Sequence, residues 1–182
     1  MKMFESFKKN MPEGIILPDE FRAVCDYVDK TTLPISGCMK IQPDSFGEVK
    51  AWFGNDDLMA SNFAYFGAGP DGSILAFWLL YGNDARNAPI VNLCSDGSNN
   101  TVLATNFNSF LRLLGIGYDE LGFDDLFIPP EHPESAAKFR DWLKQEFGMV
   151  CPLTGANIAS EAQDNTLSIE AAIDNWYKLF YG

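Results

Sequence analysis

Asn62-Phe63-Ala64-Tyr65-Phe66, then Gly67-Ala68-Gly69-Pro70-Asp71-Gly72, then Ser73-Ile74-Leu75-Ala76-Phe77-Trp78-Leu79-Leu80-Tyr81 is the stretch on which the fold turns. Two aromatic and aliphatic segments flank a hexamer of turn residues, the composition of two strands joined by a hairpin loop. The hexamer also spells G-x-G-x-x-G. A dinucleotide site needs a helix to open behind those glycines so that its first N–H groups face the pyrophosphate. Here a strand pattern, Ile74 to Leu79, follows instead, and the hairpin reading stands. Working outward, Pro89 to Cys94 reads as a third strand, ended by Ser95-Asp96-Gly97-Ser98-Asn99-Asn100, and Thr101 to Ala104 as a short fourth. Residues 58 to 105 together form an antiparallel meander. Thr105 or Asn106 then caps a helix that places Phe107, Phe110, Leu111 and Leu114 on one face and stops at Gly115.

Upstream, residues 1 to 16 are polar with scattered apolar positions and read as an amino-terminal arm. Pro18 suits the first helical position, Asp19 and Glu20 suit the positive end of a helix dipole, and Phe21, Val24, Cys25 and Val28 recur at helical spacing. A helix over about 18 to 30 follows, with Thr31-Thr32-Leu33-Pro34 as its stop. Short extended segments are expected near 37 to 42 and 47 to 53. Downstream, Pro133 and Glu134 start a helix with Ala136, Phe139, Trp142, Leu143 and Phe147 at core spacing and Gly148 as its end. A last helix runs from about Ser168 to Phe180, with Ile169, Ala172, Ile173, Trp176, Leu179 and Phe180 on its apolar side. Helix, strands, then helices is the order of an α+β fold, a central antiparallel sheet flanked by helices with a helical last third. No internal repeat or long linker divides the 182 residues, so one domain is expected over 1–182.

The charge is distributed unevenly. Thirteen lysines and arginines stand against 25 acids, a formal net charge of −12. Between residues 51 and 137 Arg86 and Arg112 are the only basic residues, and no lysine or arginine lies between Arg112 and Lys138, where Asp119, Glu120, Asp124, Asp125, Glu131 and Glu134 fall. Such a chain opposes a phosphate backbone, so nucleic acid is not expected as a direct ligand. The longest apolar run, Ile74 to Tyr81, falls short of the roughly 20 residues a membrane helix needs, and Met1-Lys2-Met3-Phe4-Glu5 lacks the apolar region expected of a signal peptide. A soluble, cytoplasmic protein with no membrane contact is the expectation. Cys25, Cys38, Cys94 and Cys151 form no C-x-x-C pair and are expected as buried, reduced thiols, with no metal and no cofactor.

Motifs for catalysis are sparse. His132, the one histidine, sits between Pro130 and Pro133 beside Glu131 and Glu134, in a position to open a helix at the surface. No G-x-S-x-G elbow and no P-loop occur. The carboxylate pairs Asp56-Asp57, Asp119-Glu120 and Asp124-Asp125 are adjacent in sequence, which does not place two carboxyls across a cleft as glycosidase chemistry requires. Asp96-Gly97-Ser98-Asn99-Asn100 lacks the alternating acids and closing Glu of a calcium loop.

As an ordered set, the strand block resembles the SUKH superfamily, which includes the yeast cell-wall glucan-synthesis regulator and many bacterial immunity proteins. The resemblance rests on Phe63-Ala64-Tyr65-Phe66-Gly67-x-Gly69-x-x-Gly72, Ile74 to Leu79, Pro89-Ile90-Val91-x-Leu93 with Asp96-Gly97, Ala104-x-Asn106-Phe107-x-x-Phe110-Leu111, and Leu17-Pro18-x-x-Phe21 at the head of the first helix. It covers residues 17 to 115 and leaves 116 to 182 as a helical addition. It implies an α+β interaction module without an active site, and in bacterial members a cytoplasmic antitoxin that binds and blocks a toxin, commonly a nuclease. A partner with a basic surface fits the acidic chain, with Asp119, Glu120, Asp124, Asp125, Asp71 and Asp96 as the contacting residues. Two alternatives remain open, a regulatory scaffold in cell-wall glucan synthesis and a hydrolase using acids and His132. Oligomeric state is open as well.

Overall fold

The computed structural model describes residues 2–31, 35–122 and 124–182. Its centre is one antiparallel sheet of β1 (Lys40–Ile41), β2 (Phe63–Ala68), β3 (Ile74–Trp78), β4 (Ile90–Leu93) and β5 (Thr101–Ala104), paired in chain order with no crossover. Register follows the hairpin reading, with Phe63 opposite Trp78, Ala64 opposite Phe77 and Ala68 opposite Ile74, and the turn closed by Gly69 N–H donating to the Ser73 carbonyl at 2.9 Å. Gly72 takes φ +88° in that turn, a conformation that favours glycine. A bulge between Tyr65 and Gly67 brings β1 close, and a Cβ on Gly67 would lie 2.5 Å from the Lys40 carbonyl. The strand read as continuing to Tyr81 stops at Trp78: the Leu79 amide still bonds across to the Asn62 carbonyl in the same register, but the next amide, of Leu80, turns back to the Trp78 carbonyl at 3.0 Å.

Side chains of a strand alternate between the faces, yet every residue of β2, β3 and β4 is buried. Both faces of the sheet are covered. On one face Phe66, Phe77, Ile90 and Leu103 pack with Phe7, Phe21, Phe107, Phe110 and Phe139; on the other Phe63, Tyr65, Trp78 and Val91 pack with Phe53, Ala162 and Ile169. Phe21 is the hub of the first layer, with ring centroids 4.9 Å from Phe7, 5.7 Å from Phe77 and 5.5 Å from Phe107.

The first layer is built by α1 (Met3–Asn10), α2 (Asp19–Lys30), α5 (Phe107–Leu114) and α6 (Ala137–Phe147). The expected arm is therefore a helix in part. Phe4, Phe7 and Met11 recur at helical spacing and are buried, and Asp29 of α2 accepts from the Met3 amide at 3.1 Å. Helix α2 starts one residue past Pro18 and ends at Lys30, with Thr31 extended; Thr32 to Pro34 lie outside the described residues. Asn106 caps α5 by accepting from the Ser109 amide at 2.9 Å. A 3₁₀ turn over Pro133–Ala136 leads into α6, which ends at Gly148 with φ +66°.

The second layer holds α3 (Glu48–Trp52), α4 (Asp57–Ala60) and α8 (Ile169–Tyr181). Residues 47 to 53 are thus mostly helix and not extended. The Asp44 carboxylate accepts from the amides of Phe46, Gly47 and Glu48 at 3.2, 2.7 and 2.9 Å, which satisfies the free donors of a helix start. Ile169 is buried and Ala172, Ile173 and Trp176 are half-buried toward the sheet, but Leu179 and Phe180, placed on the apolar side in the sequence reading, face outward. The Trp176 indole N–H donates to Asp56 at 2.8 Å. Between the layers α7 (Ala156–Asn165), which the periodicity does not announce, packs Ala159 and Ala162 beside β5, the last strand of the sheet. The architecture is α+β, and the helical last third completes both cores. All four cysteines are free; Cys25 and Cys94 are buried as expected, whereas Cys38 is exposed in the turn before β1 and Cys151 is half-buried. Burial pushes the Cys25 thiol up to about 12, assisted by Asp29 and Asp26, so it stays protonated. Among the described residues no helix is long and apolar enough to cross a membrane.

Candidate functional site

In a meander alternate loops share an end of the sheet. The β2–β3 turn carrying Asp71 and the β4–β5 loop carrying Asp96 therefore lie together. Residues 36–39 enter β1 from the same end, and α5 runs back along the sheet to deliver residues 116–122, 124 and 125 there. Contacts confirm the meeting. The Cys38 amide donates to the Asp119 carbonyl at 3.3 Å, Gly37 lies against the Tyr118 carbonyl and Asp119 with no room for a Cβ, and the Ser95 hydroxyl donates to Asp71 at 3.2 Å.

Each acid has its own local support. Asp71 accepts from the Ser73 amide at 3.0 Å and from the Ser73 hydroxyl. Burial works against its charge, but these bonds and that from Ser95 outweigh it and hold the carboxyl below the usual range. Asp96 accepts from the Ser98 amide and hydroxyl at 2.8 and 2.7 Å, and those bonds hold it low. Asp124 accepts from the Glu120 amide at 2.8 Å while its own amide donates to the Glu120 carbonyl at 2.8 Å, closing the loop that presents both. Asp125 accepts from the Phe127 amide at 2.9 Å. Glu120 is the exception. Desolvation first, then the charges of Asp71 and Asp124, push its carboxyl above the ordinary 4.5. Asp71, Glu120 and Asp124 thus share one field, while Asp96 sits on the neighbouring loop and Asp119 and Asp125 are exposed on the same segment.

A residue without charge or motif organises this segment. Tyr118 is buried, its hydroxyl donates to the Ile128 carbonyl at 2.7 Å and accepts from the Gly155 amide at 3.1 Å, and so ties the acidic loop to the start of α7. A buried tyrosine after Gly-Ile-Gly in the sequence offered the only signal. Arg140 points inward from α6, donating to the carbonyls of Gly115 and Pro133 at 2.9 and 3.2 Å, and Arg112 donates to the Val150 carbonyl at 3.0 Å. The arginines that flank the acidic stretch in sequence are therefore engaged with carbonyls. His132 opens the 3₁₀ turn before α6, exposed, with Nδ1 3.3 Å from Glu134.

Beside this end runs a groove of about 720 Å³. It is lined by residues 99–103, by residues 121, 122 and 124–127, and by Ala159, Gln163 and residues 166–170. Fold and site together define an α+β protein whose sheet gathers its acidic loops at one end. No protein-family model, curated protein or solved structure matches the chain.

Proposed function

We propose that this protein is a non-catalytic protein-binding module of the SUKH kind, a cytoplasmic immunity protein that holds and neutralises a basic toxin domain through its acidic end. One observation carries the reading: Asp71 of the β2–β3 turn meets Glu120 and Asp124 of the loop after α5 at one end of the sheet, where desolvation first and then these two neighbouring charges raise the Glu120 carboxyl. Crowding like charges costs stability unless something offsets it, and a cationic surface does so while steering its own approach. Asp96, Asp119 and Asp125 widen the same face.

The test is capture of partners by the tagged protein from lysate of its source organism, at about 50 mM and about 500 mM salt. A basic partner held at low salt and shed at high salt is the expected result. A chain carrying Asp71→Asn, Asp96→Asn and Asp119→Asn should lose that partner; retention equal to the parent chain would overturn the acidic-face reading. Host enzymes of envelope synthesis among the captured proteins would instead favour a regulatory scaffold.

A further inference from the structure

We propose that the groove beside β5 receives a short segment of the basic partner, with a lysine or arginine side chain held among Asp124, Asp125 and Glu170. This inference rests on the protein-binding reading and adds to it the place and chemistry of a contact.

Residues 99 to 103 all line the groove. Successive strand residues point to opposite faces, so five consecutive residues on one groove mean that it runs along the backbone and not over a face. Helix α7 packs against the same strand, and its Ala159 and Gln163 line the groove with it. Asn99 and Gln163 add side-chain amides.

The walls specify the side chains. Asp124, Asp125 and Glu170 line the groove, and no lysine, arginine or histidine does among the described residues. Leu126, half-buried, adds apolar surface to the lining. An aliphatic stem with a charged head matches that combination, burying methylenes while its charge meets carboxylates. Phe127 and Leu167 also line the groove and are 64% and 63% exposed. Large apolar side chains held open on the rim of a concave acidic site call for an apolar neighbour to the cation. The occupant is therefore a short segment with a lysine or arginine next to a leucine, valine or aromatic residue.

A phage-displayed library of random ten-residue peptides, selected on the full chain, tests this, with binding of the enriched peptides measured by fluorescence anisotropy. Enriched sequences should pair a basic with an apolar residue. Gln163→Trp fills the groove from an exposed helix position, and Asp125→Asn with Glu170→Gln removes charge from two segments of its lining. Each should weaken the peptides about tenfold or more, whereas Asp141→Asn on α6 should change affinity less than about twofold. Folding of every variant is checked by its circular dichroism and unfolding midpoint. Absence of enriched peptides, enrichment of acidic or purely apolar ones, or binding indifferent to Gln163→Trp overturns the proposal. Failure of the underlying reading shows elsewhere, as whole-partner capture unchanged by Asp71→Asn with Asp96→Asn.

Discussion

Glu120 illustrates how a single carboxyl reports on its surroundings. Its folded form titrates above 4.5, so from there up to the raised value the native state holds more protons than the unfolded chain, and stability falls as pH rises through that window. Glu120→Gln should therefore stabilise the protein at about pH 7 and have little effect at about pH 4, read from urea midpoints. Equal shifts at both pH values would mean that charge is not the cause. Asp71 has the opposite sign. Its carboxyl is held below 3.8, so its contribution is present above that value and is lost as pH falls through the lower folded one. Tyr118→Phe removes a hydroxyl that serves Ile128 and Gly155, leaving a buried amide and a part-buried carbonyl short of a partner. The expected cost is about 1–3 kcal/mol in chemical denaturation, with faster amide exchange at Gly155; no loss would show that water replaces the hydroxyl freely.

Elements were legible where one pattern dominated. Phe107, Phe110, Leu111 and Leu114 share a face behind an Asn106 cap, and α5 follows that reading residue for residue. Short elements obeyed local chemistry instead. Helix α3 depends on Asp44, whose carboxylate outweighs the extended bias of Val49 and Trp52. Helix α1 was hidden by its lysines, since only Phe4, Phe7 and Met11 mark its inner side. Helix α7 has almost no large apolar residue. Its small side chains let it approach β5 closely, and periodicity of hydrophobic size does not register closeness. Ala162 is fully buried there, so Ala162→Leu should force the helix away and cost about 1–3 kcal/mol. A thermal unfolding shift of several degrees is the expected readout, and a neutral result would mean that the helix has slack against the strand.

For the molecule as a whole, a net charge of −12 gathered partly at one end makes the folded state sensitive to ionic strength. Raising salt from about 20 mM to about 300 mM should raise the unfolding midpoint, because screening acts on the repulsion among the clustered acids. A flat or falling midpoint would mean that the clustering carries no penalty. By itself the sequence determined the class, an antiparallel meander with helices, because apolar runs broken by glycine, proline and aspartate are local signals that leave the backbone few choices. It also determined the acidic excess and named Asp71, Asp96, Asp119, Glu120, Asp124 and Asp125 from charge alone. Only the tertiary structure decided which of those acids feel one another, since Asp71, Ser95 24 residues on and Glu120 further along still meet through strand order and the return of α5. It alone decided that the last third closes both cores and frames the groove beside β5, because packing of small residues and a buried hydroxyl leave no periodic trace in the chain.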